Sequence, residues 1–96
     1  MPSDKKEITG LFIPQTVFAT GGQAVLMGLL KSGELVLNME TAFRGQAHKL
    51  VDLQVFTKHV KSIKAEDKGA TGIGLILSNI SIEKANEMTG QELLFK

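Results

Sequence analysis

Short apolar stretches that are broken at regular intervals constrain the fold of this chain more than any other feature of its sequence. From Ile8 onwards, β-branched and other apolar residues dominate, and Gly, Asn or Asp interrupts them roughly every eight to twelve positions. This spacing is typical of short antiparallel strands joined by tight turns. Six or seven such strands favour a closed barrel, which leaves no open sheet edge. We therefore expect an all-β fold, a small closed six- or seven-stranded antiparallel β-barrel.

Alternation and turn residues place the individual strands. The expected strands cover 8–18, 23–30, 35–43, 48–57, 73–77 and 92–95, with a shorter segment around Val60 and Ile63. Gly21-Gly22 and a tight connection at 31–34 separate the first three. Pro14 requires the first strand to bend or lie at an edge, and Gly28 predicts a bulge or a close backbone approach. Ser81 is expected to cap one helical turn over 81–87.

Length and composition bound the function classes. The 96 residues fit one domain, and we expect a flexible N-terminal arm over 1–7 followed by a single barrel domain over 8–96. The chain has no Cys, which excludes thiol nucleophiles, disulfides and Cys-ligated metals. Its apolar runs are far shorter than the roughly 20 residues of a membrane span, and its polar start does not resemble a signal peptide. We expect a cytoplasmic protein without membrane contact.

No motif predicts catalysis or a cofactor. Gly69, Gly72 and Gly74 form the pattern G-x-x-G-x-G, but a β-like run follows them, whereas a phosphate-binding loop leads into a helix. We therefore expect a turn followed by a strand, and no bound nucleotide. His48 and His59 lack metal-ligand spacing, so no metal site is predicted, and both rings are expected to be exposed. No nucleophile elbow is present. The chain is expected not to be an enzyme.

Basic residues concentrate in one part of the chain. Only Asp52, Glu66 and Asp67 oppose them there. The candidate RNA-binding residues are Arg44, His48, Lys49, Lys58, His59, Lys61, Lys64 and Lys68. They favour either a phosphate-contacting face or an ordinary solvated surface. Strict alternation would expose Phe56, where it could stack on a base, but we expect a bulge to turn it inward or the ring to cover an open barrel end.

Four segments, in order along 12–95, carry a resemblance to a known family. They are Val17-Phe18 with 28–35, then 51–59, then the glycine-led strand 72–80, and finally 82–93. In this order they resemble domain II of translational GTPases such as elongation factor Tu and elongation factor 1-alpha. The resemblance implies a β-barrel with a role in translation, in contact with tRNA or the ribosome.

The chain also departs from the family pattern. Asn38-Met39 stands where the family has a Gly-Asp turn, and 68–71 is additional. Ser78 replaces a basic residue that lies, in elongation factor Tu, near the aminoacylated end of the tRNA. Two hypotheses follow. One is a non-catalytic module that contacts tRNA or ribosomal RNA through basic loops. The other is a protein–protein interaction module, binding a partner protein or forming a homodimer without RNA contact.

Overall fold

A computed structural model describes residues 8–56 and 58–96. The arm expected over 1–7 lies outside these residues. The elements in chain order are β1 (Gly10–Thr20), β2 (Gln23–Val36), β3 (Glu40–Phe43), β4 (Gln46–Val55), β5 (Lys58–His59), β6 (Ser62–Lys64), β7 (Ile73–Leu77), α1 (Ile82–Met88) and β8 (Leu93–Phe95).

Six of these strands close into a barrel. Their order is β1-β8-β3-β4-β7-β2, and pairing between β1 and β2 completes the circle. All pairings among the described residues are antiparallel. The two remaining strands lie outside the circle, with β5 paired to β4 and β6 paired to β2. The closed antiparallel barrel expected from the sequence is confirmed.

Apolar side chains fill the barrel. Leu26, Leu75 and Leu53 are register partners on three adjacent strands, and each is 0% exposed. The rings of Phe12 and Phe95 meet edge to face, with centroids 6.5 Å apart. Fully burying a Leu or Phe side chain contributes about 1.5–3 kcal/mol, so this interior is the main source of stability. Because side chains fill the interior of a barrel this small, a ligand can contact only its outer surface.

Two backbone features of the β1–β2 hairpin follow the sequence expectations. Gly28 approaches β1 closely: a Cβ built on it would lie 2.0 Å from the carbonyl oxygen of Ile13. Pro14 lies at an irregularity, because the register of the hairpin shifts between Pro14 and Thr16. The close approach at Gly28 is confirmed, and the irregularity at Pro14 is consistent with the expected bend or edge position.

The expected tight connection at 31–34 is wrong. The chain stays in β2 through this segment, because Gly33 adopts φ +81° and pairs with Gly10, so the strand bends without ending. The turn comes later, at Asn38, whose φ is 79° and whose N–H donates to the carbonyl of Leu50. The third strand therefore begins at Glu40, not at residue 35.

The helix begins where the sequence predicts. The hydroxyl of Ser81 accepts a hydrogen bond from the backbone N–H of Lys84 at 3.1 Å, which caps α1. Ala85 and Met88 are buried. Arg44, in the β3–β4 turn, reaches α1 through Glu87. In the part of the chain that the structure describes, no helix is long and apolar enough to cross a membrane.

Candidate nucleic-acid interface

Residues 58–68, here called the basic segment, form a continuous stretch on the outside of the barrel. The segment first follows β4, where the N–H of Val60 donates to the carbonyl of Leu53. It then follows β2, where the N–H of Ala65 donates to the carbonyl of Gly33. Ile63 anchors it in the core at 5% exposure. The side chains left exposed include Lys58, His59, Lys61, Lys64 and Lys68.

The lysines of the basic segment differ from Lys31 and Arg44 in that they form no ion pair with a carboxylate among the described residues. Lys31 forms an ion pair with Glu92 at 2.8 Å, and Arg44 forms one with Glu87 at 2.9 Å. Within residues 8–56 and 58–96, no such ion pair involves a lysine of the basic segment. One nearby carboxylate is engaged locally, since Asp67 accepts a hydrogen bond from the backbone N–H of Lys64. Glu34 is the register partner of Lys64 across the β2–β6 pair, and Glu66 is exposed in the segment itself, but neither forms an ion pair with a lysine of the basic segment among the described residues.

His59 takes part in a polar cluster with β4. Its Nδ1 lies 2.9 Å from Oδ1 of Asp52, and Nε2 of Gln54 donates to Oδ2 of Asp52 at 3.2 Å. The hydrogen bond from His59 is the main reason that the pKa of the Asp52 carboxyl is lowered from its ordinary value. The His59 side chain is 70% exposed and that of Asp52 only 26%. The cluster thus presents its imidazole to solvent.

Phe56 is 68% exposed, so the expected inward turn of this side chain is wrong. β4 ends at Val55, and Phe56 enters the following turn with φ +54°, a left-handed conformation that is rare for an aromatic residue. Gly69 makes room for the ring: a Cβ there would lie 2.9 Å from Cε2 of Phe56. The ring therefore rests against the end of the basic segment and keeps a large exposed surface.

His48 is not part of this surface, and its expected exposure is wrong. It is 0% exposed, and its Nδ1 lies 2.8 Å from the carbonyl oxygen of Ser78. Within the described residues, His48 Nε2 and the hydroxyl of its register partner Thr41 are buried without a hydrogen-bond partner. The cause is a register shift in β4 between Leu50 and Asp52, which also leaves Val51 48% exposed. This shift places His48 and Leu50 inside the barrel.

The other two candidates lie away from the basic segment. Lys49 is exposed on β4. Arg44 occupies the turn before β4, with its guanidinium 5.3 Å from the ring centroid of Phe43. β4 has 10 residues, so at about 3.3 Å per residue roughly 30 Å separates Arg44 from Lys58. Five of the eight sequence candidates thus lie exposed along the basic segment. The outer surface also includes Asp52 and Gln54, which strand alternation already places on the outer face, and Phe56, which the turn after β4 leaves exposed.

The described residues contain no cluster of His, Asp and Glu side chains that could hold a metal ion.

The fold is similar to part of a solved translation factor. Translation elongation factor SelB from Methanococcus maripaludis, in its apo form, matches with a TM-score of 0.67 and 16% sequence identity over 94% of this chain. The chain spans 19% of the length of that protein. No family model and no curated protein matches the sequence. The likeness is one of fold, and it confirms the barrel of the elongation-factor domain II type that the resemblance implies.

Proposed function

We propose that this chain is a non-catalytic, translation-related binding module that contacts tRNA or ribosomal RNA through the basic segment. The observation that carries the proposal is the set of exposed lysines without ion pairs in the described residues, beside the exposed ring of Phe56. The barrel fold, which is similar to part of an elongation factor, supports the translation context. The proposed setting is the cytoplasm.

The chemistry of this surface suits an RNA backbone. Lysine side chains neutralise phosphates and fix the position of a strand without reading its sequence. An exposed aromatic ring stacks on any unpaired base, because every base has a π-face. With four or five cationic contacts, the logarithm of the binding constant should fall with the logarithm of salt concentration with a slope of about −3 for a single strand.

The test is RNA binding measured by fluorescence anisotropy at about 50 and 200 mM salt, with tRNA and with a short unstructured RNA. Lys61→Ala and Lys64→Ala should each weaken binding to both RNAs to a similar degree and reduce the salt slope by roughly one. Lys31→Ala is the matched control, since Lys31 is an exposed lysine that is already paired with Glu92. Unchanged affinity in both basic-segment variants would refute the assignment.

A second candidate function, docking of a partner protein, is favoured by the β1–β2 hairpin. Residues 8–30 contain no Asp, Glu, Lys or Arg, and Phe18 on this hairpin is 57% exposed. Among the described residues, β1 pairs with β8 only over Gly10–Phe12, so no strand other than β2 pairs with the rest of β1. Uncharged edges of this kind are open to pairing with another chain.

Sedimentation velocity of the wild type and of the Phe18→Ser variant tests whether the hairpin mediates self-association. Self-association that the substitution abolishes, together with absent RNA binding, would favour the protein-interaction function. A monomer at all concentrations would exclude the homodimer.

A further inference from the structure

The antiparallel register places one row of side chains across the outer face of four strands. Cross-strand partners lie on the same face of a sheet. From β2 to β5 the row consists of Met27, Gly74, Gln54 and His59. The adjacent row, with Leu26, Leu75 and Leu53, is fully buried inside the barrel. The polar end of the outer row consists of half-buried Gln54 and exposed His59, which is itself part of the basic segment.

At this end of the row, hydrogen bonds fix the orientation of the His59 ring. Both carboxylate oxygens of Asp52 are engaged, Oδ1 by His59 and by the backbone N–H of Leu53, and Oδ2 by Gln54. With Nδ1 of His59 directed at Asp52, its Nε2 lies on the opposite edge of the ring. A ligand approaching this face meets the imidazole, which is 70% exposed, before it meets the carboxylate.

We propose that Asp52 is a positioning residue that holds protonated His59 with its Nε2–H directed outward, where it donates a hydrogen bond to an RNA phosphate. This inference rests on the RNA contact proposed above and adds a dependence on pH. When the imidazole is neutral and Nδ1–H is kept by Asp52, Nε2 carries a lone pair and cannot donate to a phosphate. Loss of the proton also leaves the charge of Asp52 uncompensated. RNA binding should therefore weaken as the pH rises.

His59 is the histidine exposed on this face, since His48 is buried inside the barrel. Asp52 of β4 contacts the imidazole at 2.9 Å, and Lys58 and Lys61 lie one and two positions away in the sequence. On the neighbouring strands, the register places the uncharged Ile76 opposite Asp52 and Gly74 opposite Gln54, with Met27 next to Gly74. Histidine is the side chain whose charge ordinarily changes between about pH 5 and pH 8. Lysine and aspartate ordinarily keep their charge over this range.

The experiment measures the affinity of a rhodamine-labelled unstructured RNA at about pH 6 and about pH 8, at constant ionic strength. The wild type should bind about fivefold more weakly at the higher pH, a factor that corresponds to one exposed charge interaction. His59→Gln should make the RNA affinity the same at both pH values, and Asp52→Asn should make the difference between the two pH values smaller. Lys61→Ala, the matched control, should weaken binding at both pH values and leave the ratio unchanged.

The outcomes separate this inference from the proposed function. If the wild type binds RNA but His59→Gln keeps the full pH ratio, the inference is overturned while the RNA-binding function stands. If only Asp52→Asn keeps the ratio, His59 contacts RNA without needing Asp52, and the positioning role is overturned. If the wild type fails to bind RNA at low salt at either pH, the proposed function fails and the inference fails with it.

Discussion

Replacing Gly28 by alanine tests whether the contact between β1 and β2 is as close as the structure shows. A Cβ at this position would lie 2.0 Å from the carbonyl oxygen of Ile13 and 2.8 Å from the Cα of Pro14. Carbon–oxygen contacts between adjacent strands normally begin at about 3.3 Å, so the shortfall is about 1.3 Å. Both obstructing atoms belong to the backbone of β1. Relief of the clash therefore requires the two strands to separate.

The expected loss of stability is large for a domain of this size. Overpacking alone costs about 1–3 kcal/mol, and one or two weakened strand hydrogen bonds add about 1 kcal/mol each. We therefore expect Gly28→Ala to lower the free energy of unfolding by about 3 kcal/mol or more. A domain of 96 residues has roughly 5–14 kcal/mol in total. The melting temperature should fall by about 12–24 °C.

The chain contains no Trp and no Tyr, so unfolding is best followed by far-ultraviolet circular dichroism. Gly72→Ala is the matched control, because a Cβ there meets no heavy atom within 4 Å and no left-handed φ is involved. That variant should be as stable as the wild type, or more stable by about 0.4–1 kcal/mol. A Gly28→Ala variant within about 1 kcal/mol of this control would refute the close approach of the two strands.

Two further predictions concern buried and paired polar groups. Thr41→Val should leave the free energy of unfolding, measured by urea denaturation, unchanged or raise it by about 1 kcal/mol. The reason is that the buried hydroxyl has no hydrogen-bond partner among the described residues. A clear loss of stability would show that this hydroxyl does form a hydrogen bond. The lowered pKa of Asp52 means that its ionised form stabilises the fold above the ordinary carboxyl pKa, and that this contribution disappears as the pH falls through the lowered value. The stability difference between wild type and Asp52→Asn should therefore shrink from about pH 5 towards pH 2, and a constant difference would contradict the pairing with His59.

The sequence predicts features that depend on local chemistry. The strand at 73–77 and the Ser81 cap both appear where short-range patterns place them. The close approach at Gly28 is also anticipated, because a glycine inside an apolar strand commonly marks a bulge or a point where another backbone comes near. In each case the decisive information lies within a few residues of the position itself.

Long-range pairing accounts for the features that the sequence does not predict. The continuation of β2 beyond residue 30 is stabilised by β6, about thirty residues later, with Leu35 paired to Ile63. The register shift at Val51 adds one residue to β4 without changing its composition, so alternation alone places Val51 inside and His48 outside. The Asp52–His59 pair depends on the turn after Val55, which brings His59 opposite Gln54. Each of these features depends on a strand pairing or a register in the sheet, which the local sequence pattern does not specify.

Among the described residues, Lys31 and Arg44 form ion pairs with glutamates, whereas no lysine of the basic segment does so. Arg44 pairs with Glu87 of α1, and Lys84 of the same helix contacts Gln46, so both cations connect the helix to the β3–β4 hairpin. The basic segment is held by backbone hydrogen bonds and by Ile63, and in the part of the chain that the structure describes no lysine side chain of the segment takes part in a hydrogen bond or ion pair that holds it. Exposed lysines that contribute little to stability can be replaced without unfolding the protein. Loss of RNA affinity in such variants would therefore report on the interface itself and not on the barrel beneath it.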